Sequence, residues 1–159
     1  MKNELTGFTA IEMMVVVAII AILASIAIPS QMGRIVKEQV VAALSLADIA
    51  KEPIAASWKA AKILPADNKE ASLPAAEKVV SNFVSALEVK DGVINITFGN
   101  KAHPKIAGKI LSLRPAMIEE SQIVPIAWVC GNAKAPNQML IKGENKTTVP
   151  DAYLPHLCR

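Results

Sequence analysis

One carboxylate lies inside an otherwise uncharged segment near the start of the chain. No charged side chain follows Glu12 until Arg34, and almost every residue between them is Ala, Val, Ile, Leu or Met. A carboxylate within a membrane segment costs about 2.5 kcal/mol or more, so it usually has a partner. Two interpretations follow: Glu12 reaches the membrane interface, or it pairs with a positive group.

The chain has two cysteines, Cys130 and Cys158. In an exported region of an anchored protein such a pair usually forms a disulfide. This bond would close a loop of about 29 residues and contribute roughly 3.5 kcal/mol on the chain-entropy model. Two free thiols or half of a metal site are the alternatives. With only His103 and His156 as further ligands, and no C-x-x-C spacing, we predict no metal.

No enzyme motif is present in the sequence. There is no phosphate-binding glycine loop, no dinucleotide fingerprint and no nucleophile motif. We therefore predict a protein that is not an enzyme and that uses no cofactor.

Composition limits the class of protein further. The 159 residues are 52% hydrophobic and 19% charged, with a net charge of +3. This balance argues against disorder. Only one apolar run, about 20 residues long, could span a bilayer, which excludes a multi-span transporter. No convincing signal cleavage site follows it, so we predict a single-pass anchor with a weak point at Pro29.

The segment after Arg34 has the pattern of an amphipathic helix. We predict one helix that continues to about residue 60, with a second kink near Pro53. Its apolar positions recur at helical spacing and are predicted to face a globular core: Val36, Val40, Ala43, Ala47, Ala50, Ile54 and Trp58.

Residues 61–80 are predicted to form a connecting loop, and four short strands should follow. The strands are expected at residues 87–90, 94–98, 109–114 and 126–130, with a hairpin turn at Asp91-Gly92 and with Pro115 closing the third strand. Local connections imply an antiparallel sheet, with one face on the helix and the other towards water. The predicted fold class is therefore α+β.

Residues 7–12 (GFTAIE) resemble the G-F-T-L-I-E processing motif of type IV pilins. The resemblance continues through Pro29 and departs at Ala10, where the family usually has Leu. It implies that a prepilin peptidase cuts between Gly7 and Phe8 and that Phe8 is then N-methylated. It also implies that Glu12 pairs with the Phe8 amine of a neighbouring subunit and so sets the axial register of a filament.

The C-terminal residues extend the resemblance over nearly the whole chain. Residues 127–131 (AWVCG) and 153–159 (YLPHLCR) are similar to the disulfide-bounded region of type IVa pilins. The implied fold is ladle-like: a long N-terminal helix, apolar in its first half, packs on a four-stranded antiparallel sheet with a C-terminal disulfide loop.

This resemblance divides the chain into segments. Residues 1–7 are a leader and residues 8–34 a hydrophobic transmembrane or filament-core helix. Residues 35–159 form a globular head, which includes the amphipathic half of the helix, the loop at 61–80, the sheet at 83–130 and the disulfide loop at 130–158.

The implied function is that of a structural subunit of a type IV pilus, for adhesion, twitching motility or DNA uptake. The expected partners are other copies of the chain, the prepilin peptidase and methyltransferase, the assembly machinery, the inner membrane, and a host surface or DNA. The subunit would move from the inner membrane to an extracellular pilus of a Gram-negative cell. The alternatives are a minor pilin that acts as a DNA receptor, and a pseudopilin of type II secretion.

Scattered cations form a second candidate site on the head. A solvated surface is the default interpretation. The alternative is a stripe that binds DNA or another anionic partner once it is repeated along a filament. These residues are Lys101, Lys105, Lys109, Lys134, Lys142, Lys146 and Arg159.

Overall fold

The computed structural model describes residues 7–159, except for the side chains of residues 27–31. The chain divides into two compact units, one ending at Ile35 and the other running from Val36 to Arg159. We predicted a weak point at Pro29, whose side chain is not among those that the structure describes. We also predicted a leader at residues 1–7, of which only Gly7 is described. Both stay predictions.

The first unit contains most of helix α1, which runs from Ala10 to Leu46. Every described side chain from residue 7 to residue 26 is exposed, on all sides of the helix. Large apolar side chains are included, with Met14 73% and Ile26 69% exposed. Within the part of the chain that the structure describes, no helix meets both the length and the apolarity needed to cross a membrane.

The helical region of the second unit is divided into two helices. Helix α1 ends at Leu46 and α2 spans Asp48–Ala61. At Ala47 the backbone N–H donates to the Leu44 carbonyl three residues back, at 3.1 Å, in the tighter geometry common at helix ends. The interruption therefore lies six residues before Pro53, which is inside α2.

The apolar helical face predicted from the sequence is confirmed. Val36, Val40, Ala43, Ala47, Ala50 and Ile54 are each 0% exposed, and Trp58 is 8% exposed. Three of these residues are alanines. Because protein interiors are packed with few voids, these small side chains let the helix lie close to the sheet. The face packs into one core with the sheet residues Leu87, Ile94, Ile96, Phe98 and Leu111.

The sheet has five strands, one more than predicted. Strands β1 (Val84–Lys90), β2 (Val93–Phe98), β3 (Ile110–Met117) and β4 (Ala127–Cys130) are neighbours in that order, and all their pairings are antiparallel. Strand β5 (Leu140–Ile141) pairs with the end of β3. A strand of two residues is too short to show alternation, which is why the sequence does not reveal it.

The third strand continues through Pro115, where the sequence predicted its end. The Pro115 carbonyl accepts from the Lys142 N–H at 2.9 Å, so its nitrogen, which has no hydrogen, faces the same neighbour. On that side β2 pairs only up to Leu113 and β5 pairs only from Ala116. The proline therefore lies opposite Lys142, at the end of the short pairing with β5, where its missing N–H removes only one ladder hydrogen bond.

The second face of the sheet does not simply meet water as expected. Asn95 and Ser112 lie on it and are 3% and 0% exposed. Ser112 Oγ donates to Asn95 Oδ1 at 2.7 Å and accepts from the Lys146 N–H at 3.0 Å, while the Ser112 N–H donates to Thr147 Oγ1 at 3.1 Å. The segment at residues 145–148 therefore covers the middle of this face.

The predicted hairpin turn is confirmed at Asp91-Gly92. Both residues have positive φ, 50° and 78°, as a two-residue type I′ turn requires. A Cβ on Gly92 would also lie 2.9 Å from Leu64 Cβ, and the Gly92 N–H donates to the Pro65 carbonyl at 2.8 Å. The turn therefore anchors the connecting loop that follows α2.

Candidate functional site

The predicted processing and register residues lie at the start of α1. Gly7 is exposed and a Cβ there would meet nothing within 4 Å, and Phe8 is 83% exposed. Residues 7–9 precede the helix, which begins at Ala10. The Gly7–Phe8 peptide bond therefore lies in an exposed segment outside the helix.

Thr9 and Glu12 form a reciprocal cap on the helix. Glu12 Oε2 accepts from the Thr9 backbone N–H at 2.8 Å and from Thr9 Oγ1–H at 2.7 Å. The Glu12 backbone N–H donates to Thr9 Oγ1 at 3.3 Å. This is the capping-box arrangement, in which two otherwise unpaired donors of the first turn are satisfied. The Thr-x-x-Glu signature of a capping box is present in the sequence, but we did not predict from it that Thr9 caps the helix.

The cap places the Glu12 carboxylate beside the start of the chain that cleavage would create. Glu12 Oε2 binds the amide of Thr9, the residue that follows Phe8. A positive amine on Phe8 would therefore lie one residue away from an already oriented carboxylate, at the end of the helix where the macrodipole favours negative charge.

The predicted disulfide between Cys130 and Cys158 is confirmed. The two sulfurs are bonded at 2.02 Å, and the cysteines are 3% and 0% exposed. Gly131 has φ +55°, and a Cβ there would lie 2.6 Å from the Cys158 carbonyl. Arg114 Nη2 donates to the Gly131 carbonyl at 2.9 Å, and burial lowers the pKa of this guanidinium. The C-terminal segment is thus fixed to β3 and β4.

Three of the seven candidate cations lie in one loop. Lys101, Lys105 and Lys109 are all exposed in the loop between β2 and β3. Lys105 Nζ lies 5.5 Å from the centroid of the Tyr153 ring. Because the chain has no acidic residue between Asp91 and Glu119, this loop is purely cationic in sequence.

The other four candidate cations do not extend this loop into a clear stripe. Lys142 is bonded to Glu119, and Lys146 lines a small recess with Asp91 and Glu144. Arg159 Nε donates to the Leu154 carbonyl at 3.1 Å, and Lys134 is exposed in a separate segment. Two of the four are therefore next to carboxylates, which reduce their attraction for an anion.

A helix that is apolar on every side and exposed must be buried by other chains or by lipid. Joined to an α+β unit that contains a disulfide, it defines a class of proteins that combine an apolar N-terminal helix with a folded head. Residues 36–159 match the pilin family, described as bacterial filament proteins. This chain belongs to the pilin family.

Several proteins of this kind are similar to nearly the whole chain. The type IV major pilin protein PilE of Neisseria gonorrhoeae is 30% identical over 159 residues, which cover 96% of this chain and 93% of the relative. A fimbrial protein of Neisseria meningitidis serogroup A is 30% identical over 162 residues, with the same coverage. The fimbrial protein EcpC of Eikenella corrodens is 31% identical over 163 residues, covering 100% of this chain and 94% of the relative.

Proposed function

We propose that this chain is a structural subunit of a type IV pilus, one that polymerises through its N-terminal helix into a surface filament. The observation that carries the proposal is a helix exposed and apolar on every side, on a chain of the pilin family. The relatives named as major pilins support this function over that of a minor pilin or a pseudopilin. The filament serves adhesion, twitching motility or DNA uptake.

The proposal includes a processing pathway. Before assembly the prepilin lies in the inner membrane, with its uncharged segment in lipid. A peptidase then cuts after Gly7, and the new N-terminal residue Phe8 is N-methylated. Glu12 then pairs with the Phe8 amine of an adjacent subunit, so that only one stagger brings the two charges together. Support comes from the GFTAIE motif in the sequence and from the open backbone at residues 7–9.

Intact-mass spectrometry on filaments sheared from the cell surface tests this pathway. We expect a dominant species that spans Phe8–Arg159, carries one added methyl group and lacks two hydrogens. A processed chain found only in traces, or confined to the cell envelope, would favour a minor pilin or pseudopilin. An uncut Met1 terminus in every pool would refute the processing pathway.

The cationic loop between β2 and β3 supports a second, more limited function for the same filament. Lys101, Lys105 and Lys109 recur on every subunit, so weak contacts with an anionic polymer such as DNA would multiply by valency. Filaments that carry alanine at the three positions should retain less DNA, with a weaker dependence on salt. The matched control replaces Lys69, Lys78 and Lys134 by alanine, which removes three exposed cations from other segments. Equal retention by both variants would exclude this role.

A further inference from the structure

The hairpin turn between β1 and β2 contains a chemically reactive pair of residues. Asp91 is the only Asp or Asn in the sequence that is followed directly by a glycine. Because glycine has no side chain, another group can approach its backbone nitrogen closely. The Gly92 nitrogen can therefore attack Cγ of the preceding Asp91 and close a succinimide ring, which is the first step in the conversion of aspartate into isoaspartate.

This conversion needs no reactant other than water. When the Asp91 carboxyl group is in its acid form, the bond between Cγ and the Gly92 nitrogen forms while the carboxyl hydroxyl leaves with the N–H proton as water. A water molecule then adds to one of the two ring carbonyls and opens the ring. Opening at the α-carbonyl leaves the nitrogen bonded to Cγ, so the backbone gains one carbon atom and the mass stays the same.

The folded turn opposes ring closure because its amides are held by the connecting loop. The Gly92 N–H donates to the Pro65 carbonyl at 2.8 Å, and the Asp91 N–H donates to the Ala66 carbonyl at 3.2 Å. Ring closure requires rotation about the Asp91 Cα–C bond, out of the type I′ geometry. This rotation turns the Gly92 N–H away from Pro65. The hydrogen bond must therefore break before the ring can form.

The two reacting residues also differ in their exposure to water. Asp91 is exposed, whereas Gly92 is buried. Leu64, the residue before Pro65, approaches so closely that its Cβ would lie 2.9 Å from a Cβ on Gly92. The connecting loop therefore covers the glycine, while the carboxyl group that it would attack lies in solvent.

Side chains of the connecting loop hold it in this position. Asn68 Nδ2 donates to the Leu87 carbonyl at 2.9 Å, and Asn68 Oδ1 accepts from the Val89 N–H at 2.6 Å, two residues before Asp91. Glu70 Oε2 accepts from the backbone N–H of Ala66 at 2.8 Å. A change that weakens these bonds should therefore free the turn without unfolding the rest of the head.

We propose that Asp91 is a site of isoaspartate formation and that local opening of the connecting loop controls its rate. While the loop covers the turn, the Gly92 nitrogen is held away from the carboxyl group and the reaction is slow. When the loop opens, ring closure can proceed. Because the product has a longer backbone, it no longer fits a two-residue turn, and the bond to Pro65 is lost.

Incubation of the dispersed full chain in water labelled with heavy oxygen tests the site, because each ring opening places one labelled oxygen on residue 91. Fragmentation by electron transfer in the mass spectrometer distinguishes isoaspartate from aspartate. The chain unfolded in urea should take up label at Asp91, and Asp91→Glu, whose side chain cannot close the same ring, should not. An unlabelled Asp91 in urea overturns the site. Equal rates in native and unfolded chains overturn the control by the fold.

Two kinds of variant test whether the loop controls the rate. Under native conditions we expect Asn68→Ala, and the milder change Glu70→Ala, to take up label roughly 2- to 10-fold faster than the wild type, as the loss of hydrogen bonds implies. The control replaces Cys130 and Cys158 together by Ser, which destabilises the head away from the turn and should leave the rate unchanged. Unchanged rates in both loop variants, or equal acceleration in the cysteine variant, overturn control by local opening.

Discussion

Glu12 has two properties that can be separated experimentally, because it accepts hydrogen bonds and it carries a charge. The cap with Thr9 uses the first property, and the proposed pairing with the amine of another subunit uses the second. A glutamine can take the place of glutamate in a capping box, since its side-chain oxygen also accepts. The two roles therefore predict different outcomes for different substitutions.

We predict that Glu12→Gln and Glu12→Ala are both cleaved after Gly7 but give few filaments, because each removes the charge that sets the register. Thr9→Ala removes the cap at a cost of about 1 kcal/mol and leaves the charge, so it should still assemble. Filament yield and intact mass, measured together, separate cleavage from assembly. Normal piliation with Glu12→Gln would show that the charge does not set the register.

Asn68 is a second residue whose role is local and measurable. Its Nδ2 donates to the carbonyls of Pro74 and Leu87, both at 2.9 Å, and its Oδ1 accepts from the Val89 N–H at 2.6 Å. The side chain is 8% exposed, so it satisfies backbone groups that water hardly reaches. It thereby ties the connecting loop to β1.

Replacing Asn68 by Ala should lower the free energy of unfolding by roughly 2–4 kcal/mol, because two buried backbone groups and one partly buried group lose their partner. Urea denaturation of the dispersed full chain measures the loss. Asn137→Ala, in an exposed segment, is the control and should change stability by less than about 0.5 kcal/mol. Similar effects for the two variants would contradict the role assigned to Asn68.

At the scale of elements, the sequence predicts those features that follow from a repeating pattern. The seven apolar helix positions and the Asp91-Gly92 hairpin were correct, because burial imposes spacing and a tight turn demands positive φ. The interruption at Ala47 and the two-residue strand β5 were missed, since neither has a repeating pattern or a specific residue. The sequence wrongly predicted that Pro115 ends β3, because whether a strand accepts a proline depends on where its partner strands end.

The hairpin turn allows a controlled test of backbone strain against contact. Gly92 and Gly108 both have positive φ, 78° and 73°, but only Gly92 is close to another side chain, Leu64. We predict that Gly108→Ala costs about 1 kcal/mol and that Gly92→Ala costs more, roughly 2–3 kcal/mol, since it adds a clash to the strain. Chemical denaturation compares the two. Equal losses would mean that Leu64 moves aside freely.

At the scale of the whole molecule, the candidate site was only partly predictable. The cysteine pair and the apolar helix could be predicted from the sequence, because residue types determine both disulfide chemistry and hydrophobicity. Of the seven candidate cations, Lys142 and Lys146 lie beside carboxylates, and the sequence alone does not show which carboxylates the fold places near a lysine.

The disulfide contributes to the stability of the whole head. Replacing Cys130 and Cys158 together by Ser should lower the free energy of unfolding by roughly 3–4 kcal/mol, as expected for a closed loop of this length. Because both cysteines are almost fully buried, a thiol reductant should leave the native chain oxidised and act only after unfolding. Rapid reduction under native conditions, detected by thiol labelling, would show that the C-terminal segment opens.

The same bond also limits how far the chain can be stretched. Cys130 and Cys158 are 28 residues apart in sequence, but their Cα atoms are only 4.5 Å apart. When the chain is pulled from its two ends, tension passes through the sulfur–sulfur link and bypasses the enclosed residues. A fully extended chain should therefore be about 100 Å shorter than its number of residues implies. In a force-extension trace, a reductant should release this hidden length as one additional step.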